Sequence, residues 1–171
     1  ILKAEGVEAV AIGFLHSYVN TAHERRAREV LAAHLPDVAI TISSDVSPEI
    51  REYDRFSTAC ANAYVQPLMA VYLGRLSATM KGLGFRGALL LMMSGGGLTT
   101  LETAQRLPIR LVESGPAGGA ILASHLAREN GLDEGLSFDM GGTTAKICII
   151  ADGEPERARV FEVARAYRNL K

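Results

Sequence analysis

The stretch "LSFDMGGTTAKICII", residues 136–150, most constrains what this chain can become. Two apolar, strand-like runs are separated by an aspartate, two glycines and two threonines, so the backbone reverses between neighbouring strands. A plain hairpin turn accounts for the glycines, which enter turn conformations with no Cβ in the way. It does not account for Thr143 and Thr144. Nor does it explain Asp139, at what reads as the buried end of a strand, where an unpaired carboxylate is expensive. Asp139 on a hydrated magnesium ion, with the Gly141 and Gly142 amides and the Thr143 and Thr144 hydroxyls on phosphate, gives each residue a function.

Two further glycine loops invite the same reading. "SGGG", Ser94 to Gly97, follows a strand, and "ESGPAGG", Glu113 to Gly119, opens a helix. Convergent backbone amides at turns and helix starts form anion sites. None of the three loops has the spacing of a Walker loop or a dinucleotide fingerprint, and the chain has no GxSxG elbow and no HExxH pair. Ser114 lacks an identifiable base and reads as a helix cap.

The rest of the chain supplies an α/β frame. Val7–Leu15 reads as a buried strand, and residues 20–35 as a helix capped by Asn20 or Thr21, striped by Ala27, Val30, Leu31 and Leu35, and stopped by Pro36. "DVAITIS" alternates as a second strand, and this rhythm predicts a largely parallel sheet. Residues 48–81 form a long helical region. Its apolar row, Phe56, Cys60, Tyr64, Leu68, Tyr72, Leu76 and Met80, predicts a mostly buried helix, bent or split near Pro67. Ala88–Met93 is a buried strand, "TLETAQRLP" a short helix, "IRLVE" a strand, and Ala117–Asn130 a helix. "ADGEPE" is a turn before a strand in "RARVFEVARAY". A domain change is expected between residues 110 and 135, where two α/β patterns meet.

Eighteen basic against nineteen acidic residues leave a net charge of −1, which gives no electrostatic case for nucleic acid or an anionic membrane. No apolar run approaches the roughly 20 residues of a membrane span. Cys60 and Cys148, each within an apolar segment, read as reduced core thiols, hence a cytoplasmic protein without a zinc or disulfide framework. The chain begins at Ile1 and stops after a charged segment, so it reads as an excerpt of a longer polypeptide. His16, His23, His34 and His125 show no ligand spacing and read as core-edge, surface or packing residues. The charged "SSDVSPEIREYDR" segment reads as a solvated helix start, with acids in the first turn.

"FDMGGTTAKICII" resembles a phosphate loop of the actin, sugar-kinase and chaperone ATPase superfamily. Taken in order, "AIGFLHSYVNTAHERRA", "SSDVSPEIREYDR", "NAYVQPLMAVYL", "GFRGALLLMMSGGG", "ESGPAGG", "FDMGGTTAK" and "FEVARAYR" resemble the middle of a hydantoinase A/5-oxoprolinase subunit, a family that includes acetone carboxylase subunits. The resemblance implies an actin-like ATPase (ribonuclease H-like) α/β fold with parts of two lobes, mixed sheets and flanking helices. Residues 1–112 would close the first lobe, with a long helical connection, and residues 113–171 would start the second.

It also implies an enzyme that uses ATP with Mg2+ or Mn2+ to activate the carbonyl of a hydantoin or lactam for ring opening. A hydantoinase B-like partner subunit and an oligomer go with it. Acetone-type carboxylation and small-molecule kinase activity are the alternatives within the fold, and a nucleotide-driven conformational ATPase is the alternative outside metabolism. The resemblance makes Asp139, Gly141, Gly142, Thr143 and Thr144 the second phosphate loop, with Asp139 and Thr143 catalytic and Asp139 on the metal. Ser94, Gly95, Gly96, Gly97, Glu113, Ser114 and Gly115 would line the nucleotide cleft. Two positions depart from the pattern: Lys146 replaces an acid of many relatives, and Gly95 an asparagine.

Overall fold

The computed structural model describes residues 2–158, so most of the strand expected in "RARVFEVARAY" lies outside the described residues. The chain forms two compact units. One comprises the chain up to Met93 together with Gly97–Val112, the other Ser94–Gly96 together with the chain from Glu113 onward.

In the first unit, β1 (Ala9–Ile12) and β2 (Ala39–Ile42) pair in parallel, Ala9 opposite Ala39 and Ile12 opposite Ile42. The connection between them carries α1 (Ala22–His34), whose first amide is accepted by the Asn20 carboxamide at 3.0 Å. A single turn, α2 (Ser43–Val46), follows β2, and then α3 (Glu52–Gly82) lies against both strands. Its buried residues are Arg55, Ala59, Asn62, Ala63 and Leu73. Small alanines at helical spacing let the helix approach the strands closely, and Asn62 fastens it. The Asn62 amide donates to Thr41 Oγ1 at 3.0 Å and to the Arg106 carbonyl at 3.1 Å, and its oxygen accepts the Ile109 amide at 3.2 Å.

This packing overturns the reading of a mostly buried α3. Of the apolar row, Tyr64 is 87% exposed, Leu68 74% and Tyr72 57%, and Cys60 is exposed with it rather than in the core. Periodicity identifies a face, but the strands select the small-residue stripe because only it admits close contact. Nor does Pro67 split the helix, which runs unbroken through it. The ring removes one backbone bond from a helix long enough to be held by the remainder.

A hairpin of β3 (Leu90–Met92) and β4 (Leu98–Thr100) follows, antiparallel and only half-buried. Then come α4 (Leu101–Arg106), capped by the Thr100 hydroxyl on the Thr103 amide, and a 3-10 turn, Pro108–Leu111. That turn occupies most of the strand expected in "IRLVE". Pro108 fixes its own φ and Asn62 claims the Ile109 amide that a ladder would need.

The second unit packs α5 (Ser114–Glu129) on an antiparallel sheet of β5 (Gly135–Met140), β6 (Ala145–Ala151) and β7 (Glu154–Pro155). The helix starts at Ser114, three residues before the expected Ala117, so the "SGP" expected as a turn is its first turn. Ala120, Ser124 and Ala127 form its buried stripe, and Ser124 Oγ donates to the Gly153 carbonyl at 2.5 Å. Only the β1–β2 pair is parallel among the described ladders, so the sheets are mixed rather than largely parallel. The β5 and β6 strands are not buried on both faces as expected. Leu136, Phe138, Met140, Ile147 and Ile149 are each at least half exposed, because α5 covers only the opposite face.

Candidate functional site

The second unit concentrates most of the glycine-loop residues singled out by sequence. The ladder runs Phe138 opposite Ile147, Asp139 opposite Lys146 and Met140 opposite Ala145, and then opens into the turn Gly141–Thr144. The turn is closed by the Gly141 amide on the Thr144 carbonyl at 3.0 Å. Asp139, Gly141, Gly142, Thr143 and Thr144 are all exposed. Asp139 is therefore not at a buried strand end: it stands on the second rung from a solvated turn, on the alternation shared with Ile150, whose side chain is buried.

Glu113 precedes α5 with φ of 64°, in the left-handed region, and its carboxylate pairs with the Lys146 ammonium. This pair joins the start of the helix to the strand that leaves the turn. No side chain caps α5, and Ser114 is its first helical residue rather than its cap. Pro116 has no N–H, so the Ser114 and Gly115 amides are the donors at the helix mouth. Space is open where a Cβ would sit at Gly95, Gly115 and Gly142. Gly96 differs: φ is +85°, and a Cβ would lie 2.8 Å from Ile121 Cδ1. Ser94–Gly96 thus group with α5, while Gly97 belongs to the first unit, where its carbonyl accepts the Met93 amide at 2.8 Å.

These features fit a nucleotide with a hydrated divalent ion. Magnesium takes one or two carboxylates and otherwise water and phosphate, so the lone exposed Asp139 suits it better than an all-protein cage. Among the described residues no group of three or more acidic, histidine or cysteine side chains is arranged to hold a metal.

Sequence reasoning passed over the most tightly bonded cluster, which lies in the first unit. Glu24 is fully buried, and its carboxylate accepts the Phe14 amide at 2.9 Å, the Ser43 hydroxyl at 2.6 Å and the Ser44 amide at 2.9 Å. Burial pushes its pKa up, but the bonds from Ser43, Ser44 and Phe14 outweigh that and hold it below the ordinary glutamate value. Arg55, also fully buried, donates to Ser43 Oγ at 3.2 Å and to the carbonyls of Glu49 at 2.5 Å and Phe14 at 3.1 Å. It stacks against Tyr18 and Phe56, 5.5 and 5.2 Å from their ring centroids.

"SSDVSPEIREYDR" is therefore not simply a solvated helix start, since Ser43, Ser44 and Arg55 lie inside. The signal that could have found them is the acid Glu24 on the helix face otherwise read as apolar. The histidines do not converge. His16 is exposed in a left-handed turn with φ of 56°, His34 Nδ1 bonds the Val30 carbonyl and His125 pairs with Glu129 on the surface of α5. Cys148 is only half-buried, on a narrow sheet that α5 alone covers among the described residues. No helix of the described residues is long and apolar enough to cross a membrane.

Comparison with known proteins gives the same grouping of residues a history. The Hydantoinase/oxoprolinase family profile matches residues 55–170, and that of the Hydantoinase/oxoprolinase N-terminal region matches residues 1–35. The chain is 36% identical to the caprolactamase alpha subunit of Pseudomonas jessenii, over 88% of this chain and 22% of that one. It is 34% identical to the 5-oxoprolinase of Saccharomyces cerevisiae, over 97% of this chain and 12% of that one. The crystal structure of the ATP-dependent caprolactamase superposes with a TM-score of 0.75 over 86% of this chain and 21% of that one, at 35% identity. Nucleotide-free acetone carboxylase gives 0.76 over 90% and 22%, at 29% identity. These neighbours have the actin-like ATPase fold, so the expected fold class holds. The chain spans less than a quarter of the length of each of these relatives.

Proposed function

Because the chain belongs to the hydantoinase/oxoprolinase family, we propose that it is part of an ATP-dependent enzyme that opens a hydantoin, lactam or related cyclic amide. The observation that carries this reading is the solvated Asp139–Thr144 turn, beside a helix start with uncommitted amides. An amide nitrogen is a poor leaving group while its carbonyl oxygen is unactivated. ATP supplies the phosphoryl group that activates that oxygen, and Mg2+ or Mn2+ offsets the charge of the phosphates.

In this reading the protein positions and neutralises rather than reacting covalently. The Gly141 and Gly142 amides and the Thr143 and Thr144 hydroxyls would donate to phosphate oxygens, Thr143 serving as the catalytic hydroxyl. Asp139 would hold the metal. The Ser114 and Gly115 amides, with Ser94–Gly96, would add donors from the helix side. In the same reading residues 1–112 would end the first lobe and 113–171 would begin the second. A hydantoinase B-like subunit, an oligomeric assembly and a cytoplasmic setting complete the proposal.

A second reading, ATP-dependent carboxylation of a small ketone, is favoured by the superposition on acetone carboxylase. The two part on substrate. The test is ATP turnover by the parent chain with its partner subunit and magnesium, across hydantoins, 5-oxoproline, larger lactams and small ketones with bicarbonate. Stimulation by a cyclic amide is the expected result, and stimulation by a ketone selects carboxylation. Phosphorylated product without ring opening indicates a small-molecule kinase, and turnover indifferent to every substrate indicates a conformational ATPase.

A further inference from the structure

We propose that Lys146 is a nucleotide-specificity residue, a cation that Glu113 holds until phosphate takes its place. This rests on the nucleotide reading above and concerns a residue to which that reading gives no part.

Three observations converge on it. Lys146 is the direct ladder partner of Asp139, so the two side chains share one face on the second rung from the Gly141–Thr144 turn. On that face the ammonium does not stay with Asp139 but pairs with Glu113 at the start of α5. Both members of the pair are about one-third exposed, at 34% and 32%, so a polyanion can reach the ammonium without unfolding anything. An ion pair exposed to this degree contributes little to stability, so exchanging its partner costs the fold little.

The charges explain what the pair does. Asp139 and Glu113 place two negative charges beside a turn that would receive a third anion, and Lys146 is the cation the structure pairs with one of them. With the site empty, Lys146 is neutralised by Glu113. With phosphate on the turn, the ammonium swings to a phosphate oxygen, where the charge is higher and the donor geometry of a lysine is undemanding. Glu113 then turns to solvent and repels the same phosphate. The two side chains therefore act on nucleotide affinity with opposite sign. No bond is made or broken.

The experiment is ATP and adenosine binding to the parent chain by calorimetry in magnesium buffer, for wild type, Lys146→Met, Lys146→Arg and Glu113→Gln. Lys146→Met is expected to weaken ATP about tenfold, the loss of one charge-assisted contact, and to leave adenosine unchanged. Lys146→Arg should retain most of the affinity. Glu113→Gln should tighten ATP about threefold by removing the competitor. A structural pair would instead give two losses of the same sign, and that result, or no change in either variant, overturns the proposal. If Lys146→Met fails to fold, Glu113→Gln decides alone: tightening supports the exchange, and loss or no change refutes it. Absence of ATP binding by wild type would sink the nucleotide reading itself, a different failure.

Discussion

The two units use the same side-chain chemistry, an acid with paired hydroxyl residues and a cation nearby, to opposite ends. In the first, Glu24, Ser43, Ser44 and Arg55 are all buried, and each charged group is met by several partners within the unit. In the second, Asp139, Thr143 and Thr144 are exposed, and Lys146 is half-buried with Glu113. A buried network whose charges are all met holds a fold, even with the Ser44 hydroxyl left without a partner, whereas solvated donors beside glycine turns are available to a ligand. The difference teaches that burial and partner count, rather than residue type, separate the structural constellation from the functional one.

The largest expected effect comes from breaking the closed cluster. Arg55→Ala removes the donor to the Glu49 carbonyl and one donor each from the Phe14 carbonyl and Ser43 Oγ. It should cost about 3–5 kcal/mol, read as a lowered urea midpoint of the parent chain. Any share that stays folded should bind nucleotide as wild type does. Loss of nucleotide affinity in folded protein would erase the division between the units.

Glu24→Gln sharpens the same contrast at about 1–3 kcal/mol, since a neutral amide presents a donor to the Phe14 and Ser44 amides. The pH dependence follows from the depressed pKa. Stabilisation by the Glu24 carboxylate is complete above the unfolded value of about 4.3 and is lost as pH falls through the lower folded value. Acid titration of stability should therefore be shallower in Glu24→Gln than in wild type, and parallel curves would contradict this.

Within the second unit the glycines themselves divide. Gly96→Ala meets both a left-handed φ and the Ile121 side chain, and should destabilise by about 1–2 kcal/mol in thermal unfolding. Gly142→Ala has open space and no left-handed φ, so stability should change by less than about 0.5 kcal/mol. If the turn cradles phosphate through its backbone amides, the added methyl hinders that close approach, and ATP affinity should fall. Equal stability effects at the two positions would show that both loops are only turns.

Much of this was legible in the sequence. The strand–turn–strand of Leu136 to Ile150, the helix before β2 and the ordered motifs of the family all lie where they were expected. What was not legible turns on tertiary selection. The four-apart row of α3 is a real periodicity, but Tyr64 and Leu68 face outward because Ala59 and Ala63 fit the strands more closely. The turn at Pro108–Leu111 depends on an amide taken by Asn62, forty-seven positions earlier in the chain. Glu24 stands on the apolar face of its helix, but its partners Ser43 and Ser44 reach it only across the fold. The Asp139 turn was recognised by its residue types, while its exposure and its rung opposite Lys146 came only from the ladder.

The central claim is that the open turn is a phosphate site and the closed cluster is not. The most direct measurement is magnesium-dependent ATP binding and hydrolysis by the parent chain with its partner subunit, wild type against Asp139→Ala, with the unfolding midpoint taken on the same samples. The account predicts hydrolysis reduced about a hundredfold or more, with a midpoint unchanged within about 0.5 kcal/mol, because an exposed carboxylate supports no packing. Undiminished hydrolysis in Asp139→Ala would contradict it and return the stretch to a glycine turn between two strands.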